Sequence, residues 1–436
     1  MYLGIDIGTT SICAVVICAD GGLVRSVTKP NTFGFADGAA RMQDVGGIVK
    51  ICRDMVNELC AAYPVISIGV STQMHGILYV DADGQALTPL YSWQDERGNL
   101  PAGGDESYAE QLSRLSGCRV STGYGCCSVY YDMKNAAIPQ GAAAFCTVGD
   151  YVAMQLCGRK TPLLHDSCAA SFGLFDSKSR AWDEAAICNS GMPRALFPDV
   201  TSRVEALGQT EHGATVYTCI GDNQASVYGA LRDENSFLLN IGTGSQVSVI
   251  TKGYVQVPVG EVRPYLDGAY LVVGCPLCGG YSYRLLKDFF ASTGAQITYD
   301  TMNAWALSAL AAEAAAPTVE PTFRGTREEP TRRASITGLS EDNFNAPALT
   351  LGVLRGISGE LKEFYTAFAA LLGKRTAAVG SGNAVRLNEA LRRVLRDDFG
   401  CDIAIPAHTE EASFGAARAA AEAHTGENFK HWIRYE

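Results

Sequence analysis

One pattern restricts the fold of this chain more than any other. A hydrophobic run ends in Ile-Gly-Thr and restarts as a second hydrophobic run, once at the start as MYLGIDIGTTSICAVVI and again at 236–250 as SFLLNIGTGSQVSVI. Each copy reads as strand, tight turn, strand. Two copies in 436 residues, a length beyond one typical core, imply two halves built on one plan.

The turns carry chemistry. Gly8 and Gly242 let the chain reverse with no Cβ in the way. Thr9, Thr10 and Ser11 crowd the first turn; Thr243 and Ser245 crowd the second. Backbone N–H groups and hydroxyls gathered in this way form a concavity that cradles phosphate. Two such turns facing across a cleft hold one polyphosphate from two sides. The copies differ in one respect: Asp6 stands where the second has Asn240. An acid beside phosphate is tolerated when a hard cation such as Mg²⁺ lies between them, and one cation suffices. Asn240 then keeps the hydrogen bonding without the charge. No GxxxxGK[ST] loop occurs, and the first glycine lies between two strands, not before a helix, which excludes a P-loop and a dinucleotide fingerprint.

Between the copies the pattern alternates strands and helices. DGG at 20–22 turns the chain into a third strand. Val45, Ile48, Val49, Cys52, Met55, Val56 and Leu59 recur with a helical period, predicting a helix over 39–62 that ends before Pro64. VISIGVS at 65–71 reads as a buried strand, followed by a hairpin that opens with GILYV at 76–80. Helices are expected at 107–115, at 128–137 and from about Asp150, with 165–176 a loop. A strand, polar turn and helix occupy 216–231, after which the opening pattern restarts. The predicted halves are 1–232 and 233–436. The second half continues with strands at 270–274 and 375–379, and with helices at 281–293, 300–314 and 347–372. A Pro- and charge-rich surface stretch covers 317–334, SGNAV at 381–385 is a turn feeding a helix, and a small-residue helix closes the chain.

Composition excludes some partners. Lys plus Arg is 35 against 46 Asp plus Glu, a net charge of −11, so nucleic acid and anionic membrane are poor partners. No apolar run reaches the ~20 residues that span a bilayer. Fifteen cysteines, an odd number at irregular spacing, read as reduced thiols of a cytoplasmic protein. Cys275 and Cys278 form a lone CPLC, which reads as packed thiols.

Four further segments place polar groups at strand ends. In GDNQAS, Asp222 sits where a strand becomes a helix, either as a helix cap or as a carboxylate facing a cleft. STQMHG supplies Gln73, Met74 and His75, neutral donors and acceptors suited to a polyhydroxy ligand. LYSWQDER supplies Trp93, Asp95 and Arg97. In SGNAV, Ser381, Gly382 and Asn383 leave bare backbone before a helix N-terminus.

DIGTTS, STQMHG, WQDER, GDNQAS, NIGTGS, PTFRGTREEP and SGNAV occur in the order seen in the FGGY family of carbohydrate kinases, which this chain resembles over nearly its whole length. The resemblance implies an α/β fold of two actin-like/ribonuclease-H-like ATPase domains with an interdomain catalytic cleft. It implies ATP with Mg²⁺, and a monomer or homodimer acting on a small molecule. QMHG followed by WQDER resembles the ketose branch, and VRPYLDGAYLVVGCPLCGG resembles members acting on sedoheptulose. D-xylulose or D-ribulose is the alternative substrate, and a non-catalytic sensor the alternative role. By this resemblance Asp222 is the catalytic base, and Gln73, Met74, His75, Trp93, Asp95, Asp222 and Asn223 bind the sugar. Gly8, Thr9, Thr10, Ser11, Gly242, Thr243, Ser245, Ser381, Gly382 and Asn383 meet the nucleotide, and Asp6 the metal. Glu410, Glu411 and Gly415 support the Ser381 loop from behind. Thr326 replaces a usual glutamate beside Arg327 at the cleft rim.

Overall fold

The computed structural model describes every residue except residue 328. Two mixed sheets form its frame. The first runs, edge to edge, Ala206–Gln209, Thr215–Tyr217, Ser67–Thr72, Tyr2–Ile7, Ser11–Ile17, Leu23–Pro30, and Ile220–Gly221 also pairs with Ser67–Thr72. The second runs Glu261–Pro264, Tyr270–Gly274, Ser245–Thr251, Ser236–Ile241, Ala377–Ser381, Ile403–Ala404. Leu3, Ile5, Ile7, Ile12, Ala14 and Val16 are fully buried, because helices or loops cover both faces.

The sequence repeat is also a repeat in register. Tyr2–Ile7 pairs antiparallel with Ser11–Ile17 and parallel with Ser67–Thr72. Ser236–Ile241 pairs antiparallel with Ser245–Thr251 and parallel with Ala377–Ser381. Asp6 therefore lies opposite Ser71 as Asn240 lies opposite Ser381.

The halves exchange helices. Asp222–Ala230 follows the last strand of the first sheet but buries Ala225, Val227 and Tyr228 among Leu238, Leu271 and Val379 of the second. Glu411–Thr425 belongs to the end of the chain but packs on Tyr2–Ile7 and Ser67–Thr72. Its approach is backbone to backbone: a Cβ on Gly4 would lie 1.8 Å from the Ser413 carbonyl oxygen, and one on Gly69 would lie 1.9 Å from that of Ala416. The two exchanged helices cross on glycines as well, at Gly229 and Gly415.

Several elements depart from the sequence reading. The first helix is Val45–Ala62, because the Asp44 side chain accepts from the N–H groups of Gly46 and Gly47 and so fixes the start. The residues before it form a hairpin, Gly34–Asp37 with Ala40–Gln43. The helix expected near Asp150 starts at Val148, with Asp150 and Thr147 capping each other. A short helix, Asp166–Ala169, interrupts the segment read as a loop. The segment 381–395 holds two helices, Asn383–Leu387 and Glu389–Phe399, separated by the capping Asn388. The edge strand Glu261–Pro264 was not foreseen. Among the described residues, no helix is long and apolar enough to cross a membrane.

Candidate active site

The first turn is closed by the Gly8 N–H donating to the Ser11 carbonyl at 3.0 Å. Its outer side is held by amides. Asn31 Nδ2 donates to the Gly8 carbonyl at 2.9 Å and Gln43 Nε2 to the Thr9 carbonyl at 3.0 Å. Gln73 Nε2 donates to Gln43 Oε1 at 2.8 Å, and Thr9 Oγ1 donates to Gln73 Oε1 at 3.1 Å. Trp93, half-exposed, donates from Nε1 to Thr9 Oγ1 at 2.9 Å. Gln73 and Trp93 thus brace the turn. Thr10 is exposed beside it. The second turn is tied to the start of helix Gly280–Ala291, with N–H groups of Gly280 and Tyr281 donating to the Gly242 and Thr243 carbonyls at 2.8 and 3.0 Å. Gly242 and Thr243 are exposed, whereas the Ser245 hydroxyl is buried beneath them.

A cavity of about 430 Å³ opens beside that second turn. Gly242, Thr243 and Asn383 line it, as expected from the sequence. Tyr281, Tyr283 and Leu387 form apolar walls that the sequence reading missed. Leu387 is the most exposed large apolar side chain of the described residues, at 77 %. An apolar slot next to a turn of exposed backbone is a shape that can take a flat ring. Gly382 has φ 83° and passes under Ile241, and the Ser381 hydroxyl is buried, away from the slot.

Two acids mark the floor of the cleft. Asp6 accepts from the Ser71 hydroxyl at 2.8 Å. Burial, and then Asp222 and Glu410, push its carboxyl up to about 7. Burial also raises Asp222, opposed by the Asn223 N–H at 2.7 Å and by the Arg263 guanidinium. Asp222 opens its helix and does not cap it; Gly221 holds the cap position. Two crowded carboxylates beside a phosphate cradle fit a hard cation. Among the described residues, no cluster of three or more His, Cys, Asp or Glu side chains is poised to chelate a metal alone. A cation there takes its other ligands from water and phosphate, as Mg²⁺ does.

A second cavity, about 380 Å³, reaches Asp222 only through its wall: Arg263, which lines it, donates to Asn223 Oδ1, and the Asn223 N–H donates to Asp222. Met74 and His75 line it, and a Cβ on Gly221 would lie 2.9 Å from Met74 Sδ. His75 is held in a left-handed conformation, φ 74°, by Ser171. The Ser171 hydroxyl accepts the His75 N–H at 3.0 Å, and the Ser171 carbonyl lies 2.7 Å from Nδ1. Only a protonated Nδ1 can donate to a carbonyl, so Nε2 is left as an acceptor. Burial and Arg263 lower the imidazole to about 4, which keeps it neutral. Tyr124 stacks on the ring at 4.6 Å.

The structure places Asp95 elsewhere. It is 1 % exposed, and its oxygens are taken by Arg97 Nε at 2.9 Å and Ser128 Oγ at 2.9 Å. Arg97 continues to Asp132 at 2.7 Å and lies over the Tyr91 ring. This sealed cluster supports the segment that carries Trp93. Glu411 pairs with Arg386 at 2.6 Å, behind the Ser381 loop, and Gly415 sits at the helix crossing. Thr326 Oγ1 accepts from the Glu329 N–H, and Arg327 lies 3.8 Å from Glu261.

Two α/β domains with a Gly-Thr turn in each and a cleft between them are the architecture of the actin-like ATPases. Sequence comparison gives the family. Residues 1–239 match the N-terminal domain, and residues 238–424 the C-terminal domain, of the FGGY family of carbohydrate kinases. The chain belongs to that family, and it is an ATP-dependent carbohydrate kinase. It is 30 % identical to sedoheptulokinase of Mus musculus, over 95 % of this chain and 96 % of that one. It is 26 % identical to xylulose kinase of Streptomyces rubiginosus, over 64 % and 60 %. The crystal structure of xylulose kinase from Rhodospirillum rubrum superposes with a TM-score of 0.86, covering 100 % of this chain and 93 % of that chain. At 19 % identity this last match speaks for the fold alone.

Proposed function

We propose that the chain transfers the γ-phosphoryl group of ATP to a terminal hydroxyl of a five- to seven-carbon ketose held in the His75 cavity. The observation that supports this reading is that Asp222 is tied on one side to the cavity wall, through Asn223 and Arg263, and on the other crowds Asp6 beside the Gly8 turn. In this reading Asp222 orients the attacking hydroxyl and takes its proton as the P–O bond forms. Asn223 and the His75 Nε2 acceptor hold neighbouring hydroxyls, and Met74 packs against the carbon chain. Asp6 holds Mg²⁺, which when bound neutralises charge on the β- and γ-phosphates. The Gly8 and Gly242 turns grip the phosphates, and the Tyr281–Leu387 slot takes the adenosine. Residues 1–232 thus supply sugar and base, and residues 233–436 supply most of the nucleotide site.

Two ketoses lead the test. Sedoheptulose is supported by the relatives named sedoheptulokinase, which match nearly end to end. D-xylulose, and with it D-ribulose, is supported by the relative named xylulose kinase. Both reduce to one measurement: ketose-dependent ADP release across five-, six- and seven-carbon ketoses with ATP and Mg²⁺, ranked by kcat/KM. A rate that no ketose raises above the ATP-only background refutes the reading.

A further inference from the structure

The ketose cavity is not built by the first half alone. Its far wall is the edge strand Glu261–Pro264 of the second sheet, and both Glu261 and Arg263 line it. A guanidinium has five N–H donors. Arg263 spends two of them on Glu261 Oε2, from Nε at 2.9 Å and Nη2 at 2.7 Å, and a third on Asn223 Oδ1, from Nη1 at 3.2 Å. The other two have no oxygen partner among the described residues, and one of them faces the Cys275 thiol. Among the described residues, Glu261 Oε1 accepts no hydrogen bond, and Arg327 lies 3.8 Å from it.

These contacts form a row. Asp222 accepts the Asn223 N–H, the Asn223 side chain accepts from Arg263, Arg263 is forked onto Glu261, and Glu261 faces Arg327 at the rim. Arg119 of the first half closes the rim by donating to the Arg327 carbonyl at 2.9 Å. Free donors on Arg263 and a free carboxylate oxygen on Glu261 therefore succeed one another along the wall that starts at the base. The His75 acceptor faces the same space from the first half. Hydroxyls on successive carbons, each a donor and an acceptor, satisfy such a row one after another. Arg263 in this wall is largely buried and Glu261 about a third exposed, so a ligand too short to reach them leaves polar groups unpaired and is bound less well.

We propose that Arg263 and Glu261 are specificity-determining residues that read the length of the ketose, Arg263 contacting hydroxyls near the reacting end and Glu261 those beyond it. This rests on the ketose reading given above. It adds that the second half, which holds the nucleotide, also measures the sugar.

The test is steady-state kinetics on five-, six- and seven-carbon ketoses for the wild type, Glu261→Gln and Glu261→Asp. Glu261→Asp keeps the charge and withdraws the oxygens by one methylene, so it guards against a fold defect in the uncharged variant. Both variants should raise KM for the seven-carbon ketose roughly tenfold or more, the loss of a hydrogen bond to a charged group. They should change KM for five-carbon ketoses less than about twofold, and leave kcat and the ATP KM near wild type, as expected for lost uniform binding. A KM that rises by the same factor at every chain length, or at none, overturns the inference while the ketose reading stands. A wild type that phosphorylates none of the ketoses overturns that reading and the inference with it.

Discussion

Gly415→Ala is the smallest change that tests whether the helix crossing holds the catalytic acid in place. The new methyl would lie 1.9 Å from the Ala225 carbonyl oxygen and 2.8 Å from the Gly229 nitrogen. Both neighbours are backbone, so neither can swing away. Ordinary contact needs about 3.5 Å, so helix Asp222–Ala230 must retreat by roughly 1.5 Å. Overpacking of this kind costs about 1–3 kcal/mol, against a gain of up to about 1 kcal/mol from replacing glycine in a helix. The variant should therefore unfold at lower urea concentration by about 1–2 kcal/mol. Its kcat should fall further than stability alone explains, because Asp222 is the first residue of the displaced helix and a misplacement of about 1 Å can cost ~10²-fold. Gly359→Ala is the control: it lies inside helix Ala346–Leu372 with nothing within 4 Å of a new methyl, and should stabilise the chain by up to about 1 kcal/mol with kcat unchanged. Urea melts and initial rates on the three proteins decide the matter. A Gly415→Ala enzyme with wild-type kcat would refute the idea that the crossing positions the base, whatever its stability.

The base itself is tested by Asp222→Asn, expected to lower kcat by ~10²–10⁴-fold while nucleotide binding by calorimetry is retained; a variant keeping half the wild-type rate rules the assignment out. In the wild type, the acid limb of kcat/KM should lie above the ordinary carboxylate range, since burial raises Asp222 despite Arg263 and the Asn223 N–H. Asp6 makes a prediction about stability. Its carboxyl is raised to about 7 in the folded chain, so the folded state holds the proton more tightly than the unfolded one between that value and the ordinary carboxylate range. The resulting stability is fully present below about pH 4 and is lost as pH rises through 7, by at most about 4 kcal/mol. Urea midpoints without metal should fall from pH 5 to pH 8 in both proteins, since burial also raises Asp150 and Glu360 to about 7, but by less in Asp6→Asn; equal falls would show that the acid is not strained by its surroundings.

What could be read from the sequence was what backbone hydrogen bonding repeats. Asp6 and Asn240 occupy equivalent positions because both strands pair parallel with a later strand at the same register, and the Ile-Gly-Thr signature marks that register in each copy. Side-chain direction at strand ends was not legible. Gln73 extends the sheet through its N–H bond to the Ile7 carbonyl, but its amide swings toward Thr9 and not into the cavity. Asp95 was misread because the groups that consume its charge, Arg97 and Ser128, come together only in the folded chain. The walls supplied by the second half were hidden for a different reason. Glu261–Pro264 is four residues long and ends in proline, so it shows no period, and it gains its place by pairing with Tyr270–Gly274.

The same comparison explains why the duplicated plan became asymmetric. In the first half, Asp6 bonds Ser71 and faces a second acid, so its charge is costly until a cation arrives. In the second half the equivalent pair is Asn240 and Ser381, and the Ser381 hydroxyl is buried without a partner. A charge there would lie beneath the Gly242 turn, where phosphate is to be bound, with no opposing acid to share a metal. Asparagine removes that repulsion and leaves the second turn a neutral grip. The two turns are thus alike in backbone and unlike in field: one concentrates negative charge to draw in a cation, and the other presents only N–H groups and the Thr243 hydroxyl. An enzyme with Asn240→Asp would have two acidic turns and no neutral one. It should bind ATP more weakly at fixed free Mg²⁺, with part of the loss recovered as Mg²⁺ is raised. Calorimetric titration of ATP at two Mg²⁺ concentrations measures this, and an affinity equal to wild type at the lower concentration would show that the amide at this position is a matter of packing alone.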